Sequence, residues 1–112
     1  MSQNNSLYRG TLDLLVLRAV AREPLHGWGI SQWLVRTSGG HISVPQGSLY
    51  PSLHRLERQG LLKAQWKQSP EGRKAKYYSL TRVGKKMLLE KEGRWIEYAE
   101  AVGRIIEAGR SC

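Results

Sequence analysis

The feature that limits the fold of this chain most strongly is a predicted helix followed by a basic two-stranded ribbon. In residues 47–62 leucines recur on one side of a helix, and polar and basic residues lie on the other. Ser48 is the predicted N-cap, Pro51 falls in the predicted first turn, and Gly60 is the predicted left-handed C-terminal cap. One face of this helix is therefore expected to pack and the other to contact a partner.

Two strands and a turn are predicted after this helix. Residues 62–67 alternate apolar and polar side chains, which is the period of a half-buried strand. Residues 69–72 have the Ser-Pro-Glu-Gly composition of a turn, and a return strand is predicted for residues 74–80. Thr81 is the predicted cap of another helix. This order of helix, ribbon and helix matches the second half of a winged helix.

Two amphipathic helices in the N-terminal half are predicted to supply the core. In residues 11–21 apolar residues recur at helical spacing, and Leu14 and Leu17 widen the apolar surface. That width favours burial of a second face, against a partner chain. A second helix is predicted for residues 28–37, with His26 in the turn before it.

Length, hydropathy and cysteine content limit the class of protein. A chain of 112 residues forms one compact domain plus at most one long appended helix. Its longest aliphatic run, Leu14 to Leu17, is far shorter than the roughly 20 residues that a membrane helix needs, and its first residues lack a secretory signal pattern. The single cysteine, Cys112, has no intramolecular partner. A cytoplasmic protein without a membrane partner is expected.

The positive charge is concentrated in one part of the chain. The formal net charge is +9, and residues 63–86 contain eight Lys and Arg but one acid, Glu71. From Met87 onward the charges are nearly balanced. This placement favours a polyanion such as double-stranded DNA as partner. Two alternatives stay open, namely lysines that only confer solubility and a ribbon that docks an acidic protein.

A long C-terminal helix is predicted from Thr81 to about residue 108, and its apolar residues recur with a seven-residue spacing. A stripe of this kind predicts a contact between two copies of the chain, because the winged helix is complete without it. Packing of the helix back on its own domain is the alternative. The predicted interface comprises Leu88, Trp95, Tyr98, Ala99, Val102, Ile105 and Ile106.

Three segments of the chain resemble the PadR family of bacterial transcriptional regulators. They are HGWGI at residues 26–30, QGSLYPSLHRLERQGL at residues 46–61 and KYYSLTRVG at residues 76–84. The resemblance implies a mainly α fold with a small β-hairpin, a winged helix-turn-helix plus a long C-terminal helix. It also implies a homodimeric repressor, with a DNA-binding domain at residues 1–82 and a dimerisation helix at residues 83–112.

The family pattern, transferred residue by residue, makes the helix from Ser48 the major-groove reader and the ribbon tip the wing. Arg55 is the first choice for a base or phosphate contact, because guanidinium pairs bidentately with either. Tyr50 is equally compatible with packing in the core, and the sequence does not show whether Tyr77 or Tyr78 faces the DNA. The predicted DNA-binding residues are Gln46, Ser48, Tyr50, Pro51, Ser52, Arg55, Arg58, Arg73, Lys74, Lys76 and Tyr77.

Tryptophans raise the question of an effector. Some short members of this family bind flat aromatic compounds between subunits, against a tryptophan of the C-terminal helix, and Trp95 lies in the corresponding helix. The resemblance therefore implies a small aromatic effector at Trp95 as an alternative to simple packing there. Trp33 and Trp66 are predicted to lie in the core.

Catalytic chemistry is not predicted. The histidines His26, His41 and His54 are scattered, and they lack the paired carboxylates or cysteine spacings of metal and nucleophilic sites. His54 lies near the outward face of its helix, where it is a further candidate for contact with DNA. The sequence thus predicts a protein that is not an enzyme and holds no cofactor or metal.

Overall fold

The computed structural model describes residues 5–110, with side chains described from Gly10 onward. Four helices and one antiparallel hairpin confirm the predicted fold class, which is mainly α with a small β-hairpin and a long C-terminal helix. The elements are α1 (Asn5–Ala19), α2 (Gly27–Thr37), α3 (Gln46–Arg58), β1 (Leu62–Gln68), β2 (Lys74–Leu80) and α4 (Arg82–Arg110).

The core lies where α1, α2 and α3 meet, and α4 covers the far side of α1. Both Leu14 and Leu17, whose width on α1 predicted a contact with a partner chain, are buried within this single chain. That expectation was wrong for these two residues, because α4 packs on the second apolar face of α1. An ion pair between Arg18 of α1 and Glu92 of α4 joins the same two helices.

The segment before α2 connects the helices to the hairpin. His26 is the N-cap of α2, and its ring nitrogen Nδ1 accepts a hydrogen bond of 2.9 Å from the Gly29 N–H. The preceding residue, Leu25, exchanges two backbone hydrogen bonds with Tyr78 of β2, at 3.1 and 2.8 Å. The start of α2 is therefore held against the hairpin by main-chain bonds.

Two details of α3 differ from the prediction. The helix begins at Gln46 with Pro45 as N-cap, and the Pro45 carbonyl accepts from the N–H groups of Ser48 and Leu49 at 3.0 Å each. Ser48 is therefore inside the first turn and is not the cap. Pro51 lies in the second turn, where it cannot donate the usual helical hydrogen bond to the Gly47 carbonyl. Gly47 and Pro51 are both exposed, so water can solvate the Gly47 carbonyl.

The end of α3 agrees with the prediction. Gly60 has φ +79°, the left-handed conformation that favours glycine. Its N–H donates to the Glu57 carbonyl, and the Leu61 N–H donates to the Leu56 carbonyl, both at 3.0 Å. These bonds form a Schellman cap, which turns the chain directly into β1.

The hairpin of β1 and β2, called the wing below, pairs in register from Leu62 with Leu80 to Gln68 with Lys74. Gly72 (φ +87°) supplies the turn. Tyr78 is buried in the core and Tyr77 is half-buried, so the structure shows which tyrosine faces inward. The prediction that Trp66 lies in the core was wrong, because its side chain is 63% exposed. The wing extends beyond the helices, which cover only its base.

The helix α4 starts at Arg82, and Thr81 caps it, as predicted. The Thr81 hydroxyl accepts from the Gly84 N–H at 2.9 Å and donates to the Gly60 carbonyl at 2.7 Å. The helix α4 lies alongside α1 as far as Tyr98, and the molecule measures 58 by 28 by 26 Å. Within residues 5–110, no helix is long and apolar enough to cross a membrane.

Candidate nucleic-acid interface

The outward face of α3 is centred on Tyr50 and His54. Leu49, Leu53 and Leu56 are fully buried on the opposite side, which fixes the rotation of the helix. The exposed residues follow the helical period and lie on one face: Gln46, Gly47, Tyr50, Pro51, His54 and Arg58. The predicted face was centred nearer Ser48 and Arg55, but these two residues are half-buried. The exposed face is rotated about the helix axis toward Tyr50. Tyr50 is 50% exposed, so it does not lie in the core.

Ser52, a predicted DNA contact, is only 1% exposed. Its hydroxyl donates a hydrogen bond of 2.8 Å to Oδ1 of Asp13 on α1, and the same oxygen accepts from Nη2 of Arg55 at 2.5 Å. Ser52 is therefore not on the accessible face, and this part of the prediction was wrong. In the absence of DNA, Arg55 forms an ion pair with Asp13 of α1. Arg55 therefore positions α3 against α1.

Asp13 was missed as a functional residue in the sequence, although a signal was present. It is the only acidic residue between Asn5 and Ala19 and stands between two leucines in an apolar helix. A carboxylate in such a place requires polar partners. The sequence does not reveal that these partners are Ser52 and Arg55, because they are 39 and 42 residues away.

Replacement of Asp13 tests this network. We expect Asp13→Ala to lower the free energy of unfolding by about 2–4 kcal/mol, because it leaves a buried hydroxyl and a largely covered guanidinium without their acceptor. Asp13→Asn keeps an acceptor oxygen and should lose about half as much. Urea unfolding measures both, and Glu97→Ala, at an exposed acid of α4, is the control. A loss below about 0.5 kcal/mol for Asp13→Ala would contradict the network.

Lys76, another predicted phosphate ligand, forms an ion pair with Glu57 of α3. Its Nζ lies 3.1 Å from Glu57 Oε1 and 5.6 Å from the ring centre of Tyr78. The hydrogen bond to Glu57 raises the pKa of Lys76 above its ordinary value, and burial raises the pKa of the Tyr78 hydroxyl. Lys76 therefore joins the wing to α3, and its charge is partly offset within the protein.

The tip and outer face of the wing carry the more accessible cations. Arg73 and Lys74 are exposed at the start of β2. On the outer face, the Lys67 ammonium lies 4.8 Å from the ring centre of Tyr77, and that ring lies 5.0 Å from the ring of His26. Of the predicted wing contacts, Arg73 and Lys74 are thus the best placed to meet a phosphate.

A groove of about 810 Å³ separates α3 and the start of α2 from the wing. We call it the wing groove, and its lining includes Gly27, Trp28, Tyr50, Trp66, Arg73 and Lys74. A Cβ atom at Gly27 would lie 2.7 Å from the Tyr50 hydroxyl oxygen, so glycine allows Tyr50 to pack on the first turn of α2. Trp28 and Trp66 were not among the predicted site residues, and only the structure brings them to one groove.

A second groove, of about 450 Å³, lies between α1 and α4 and is lined by Thr11, Leu14, Trp95 and Tyr98, among others. One side of α4, which includes two residues of this groove, presents apolar side chains that are exposed or half-exposed in the single chain. We call this side the α4 stripe, and it comprises Trp95, Tyr98, Ala99, Val102, Ile105 and Ile106. Leu88, predicted to lie in a dimer interface, is buried in the chain's own core, so that assignment was wrong.

Comparison with known proteins places this chain in a family. The family model described as the transcriptional regulator PadR-like family matches residues 16–90. The transcriptional regulator Rv3488 of Mycobacterium tuberculosis is 34% identical over 94 residues, which cover 84% of each chain. Among solved structures, a PadR family transcriptional regulator from Eggerthella lenta matches with a TM-score of 0.76 and 36% identity, covering 95% of this chain and 90% of that one. A PadR-like transcription factor from Bacteroides fragilis gives 0.75 and 31%, covering 94% and 99%.

The fold and the candidate site define a winged-helix protein with a polar helix face beside a basic hairpin, which is an architecture that binds DNA. The chain belongs to the PadR-like family of transcriptional regulators. It is therefore a DNA-binding transcriptional regulator and not an enzyme. Among the described side chains, no three His, Cys, Asp or Glu residues are grouped as metal ligands would be.

Proposed function

We propose that this protein is a homodimeric, sequence-specific repressor that inserts α3 into the major groove and the wing into an adjacent minor groove. The observation that carries the proposal is the outward face of α3, which is polar and accessible and lies directly beside the basic wing. A helix with this face can reach base edges, and exposed cations beside it can neutralise phosphates. Gln46, Tyr50, His54 and Arg58 are the proposed readers.

Arg58 replaces Arg55 as the arginine that we propose for direct base contact. Its side chain is exposed on the outward face, whereas Arg55 is held by Asp13. A guanidinium that is free to rotate can pair with O6 and N7 of guanine. Ser48 and Pro51 border the same face, where contact with the phosphate backbone suits their position in the first two turns.

The α4 stripe supports the dimer. Six side chains lie on one side of α4, exposed or half-buried in the single chain, and the first two of them border the groove beside α1. A second copy of the chain can cover the same stripe through a two-fold axis, because such an interface is self-complementary. We therefore propose a DNA-binding domain at residues 1–82 and a dimerisation helix at residues 83–112, although Leu88 of that helix packs in the domain core.

Two further functions are compatible with the same arrangement. The groove at Trp95 lies between α1 and α4 beside the proposed interface. Its lining combines aromatic and apolar side chains with Lys91 and Arg94, and it suits a small aromatic effector. The other candidate, from a different class, is an interaction module whose wing docks an acidic protein, and the excess of cations in residues 63–86 favours it as well. Sequence preference in DNA binding separates this module from the repressor.

The first test is a mobility shift with the DNA upstream of the protein's own gene, at physiological salt and with excess nonspecific competitor. A discrete band that survives the competitor is expected. In a transcription assay, adding the protein should lower the output from that promoter. Loss of all binding on addition of competitor would contradict sequence-specific recognition and favour the acidic partner.

Replacement of single cations should separate reading from charge neutralisation. We expect Lys74→Ala to weaken binding to every DNA sequence alike and to reduce the slope of log affinity against log salt by about 1. Arg58→Ala should instead cost about 1–3 kcal/mol on the preferred sequence and little on others. Arg104→Gln, a cation removed near the far end of α4, is the control for charge. Equal effects of Lys74→Ala and Arg104→Gln would contradict the placement of the wing on DNA.

A further inference from the structure

Three large aromatic side chains stand exposed around the wing groove. Trp28 of α2 is 61% exposed, and Tyr50 of α3 and Trp66 of β1 are comparably open. Single exposed apolar residues are ordinary on a protein surface, but a concave cluster of them marks a binding surface. The protein thus maintains an aromatic surface that no other part of the chain covers in the described structure.

The charge around these rings indicates what the groove accommodates. Arg73 and Lys74 are exposed at its edge, and Glu71 is the single acid in its lining. Lys76 also contributes to the wall, although Glu57 offsets part of its charge. Aromatic faces with cations at the rim match a ligand that has an apolar body and negative groups along its edge.

The position of the groove selects the ligand. If α3 occupies the major groove and the wing the adjacent minor groove, one sugar-phosphate strand of the duplex lies between them, because a single strand separates the two grooves of B-DNA. The wing groove is the space between these two elements. A deoxyribose ring offers an apolar surface to an aromatic side chain, and the flanking phosphates meet Arg73 and Lys74.

We propose that the wing groove holds the sugar-phosphate strand that separates the two DNA grooves, with Trp28 and Trp66 packed against its deoxyribose rings. This inference rests on the proposed function and adds two positioning residues to it. Trp28 and Trp66 increase affinity and set the angle of the protein on the duplex, and they read no bases. Their contribution is apolar, so it is independent of salt.

The test is a DNA titration by fluorescence anisotropy with the full-length protein and the DNA found in the mobility shift. Trp28→Ala and Trp66→Ala should each lower the affinity by about three- to tenfold, with the salt slope unchanged. Trp66→Phe should keep most of the wild-type affinity, because it keeps an aromatic face. Gln65→Ala, next to Trp66 on the opposite face of β1, should bind like the wild type. Circular dichroism confirms folding, which these exposed positions should not affect.

A missing-nucleoside interference experiment locates the contact. Removal of one nucleoside from the strand between the two occupied grooves should weaken wild-type binding and should have little effect on the Trp28→Ala, Trp66→Ala double variant. Unchanged DNA affinity in both single variants would overturn the inference while leaving the proposed function intact, since the wild type still binds. An equal loss of affinity for poly-glutamate would also overturn it, because the groove would then serve acidic peptides. Failure of the wild type to bind specific DNA instead refutes the proposed function.

Discussion

Gly84→Ala is expected to lower the free energy of unfolding by about 3 kcal/mol or more, which is among the largest effects available to a single methyl group in this chain. A Cβ atom at Gly84 would overlap the Leu61 carbonyl oxygen and lie 2.9 Å from the carbonyl carbon. These are main-chain atoms between α3 and β1, and the same carbonyl accepts the Thr81 N–H at 3.1 Å. The methyl group fits only if α4 moves away from the wing.

Thermal unfolding measures this effect. A loss of this size should lower Tm by about 12 °C or more in a chain of this length, or prevent folding altogether. Gly93→Ala is the matched control, because an added Cβ there meets no described atom within 4 Å. Alanine is the better helix former, so Gly93→Ala should stabilise the protein by about 0.5–1 kcal/mol. Equal Tm values for the two variants would show that α4 is not seated on Leu61 as described.

The second large effect is expected at the α4 stripe. Val102→Glu should raise the dissociation constant of the proposed dimer by more than about 100-fold, because a carboxylate would be buried in an apolar contact, once in each copy. Val102 is 36% exposed in the single chain, so its replacement should leave the fold of the domain intact. Binding to a two-half-site operator should fall with the dimer, since the two domains would no longer be linked.

Sedimentation equilibrium tests this prediction directly. The wild type should have twice the chain mass of 12.7 kDa, and Val102→Glu should have the single-chain mass at micromolar concentration. Arg104→Gln changes the net charge by the same amount on the other side of α4 and should stay dimeric. A wild-type protein that is monomeric at all concentrations would overturn the dimer, whatever its affinity for DNA.

Much of the fold was predictable because it depends on local signals. The repeat of leucines in α3, the glycine at its end and the Thr81 cap act within one or two helical turns, and each has the role that the sequence indicates. Pro45 is the exception among the caps. It starts α3 through its carbonyl and its extended backbone (ψ 150°), and no capping side chain is involved, so the rule for polar N-caps selected Ser48 instead.

The candidate site was less predictable, because the exposure and partners of its residues depend on parts of the chain that are distant in sequence. Ser52 and Arg55 have the composition of DNA ligands, yet Asp13 occupies both. Lys76 belongs to a basic run, yet Glu57 pairs with it. Trp66 falls at an apolar position of an alternating strand, yet it is exposed because the wing extends past the helices. In each case the residue type was known from the sequence, but the residues that surround it in space were not.

By itself the sequence determined the order of the elements, the concentration of positive charge in residues 63–86 and the PadR resemblance, because each of these depends on residues close together in the chain. Only the tertiary structure decided how α3 is rotated, which cations are accessible and which aromatic side chains meet in the wing groove. The physical reason is that a side chain's exposure and charge partner depend on packing between elements that are distant in sequence, as Asp13 and Ser52 are, 39 residues apart. A helical period gives the spacing of a face, and the neighbouring elements determine where that face points.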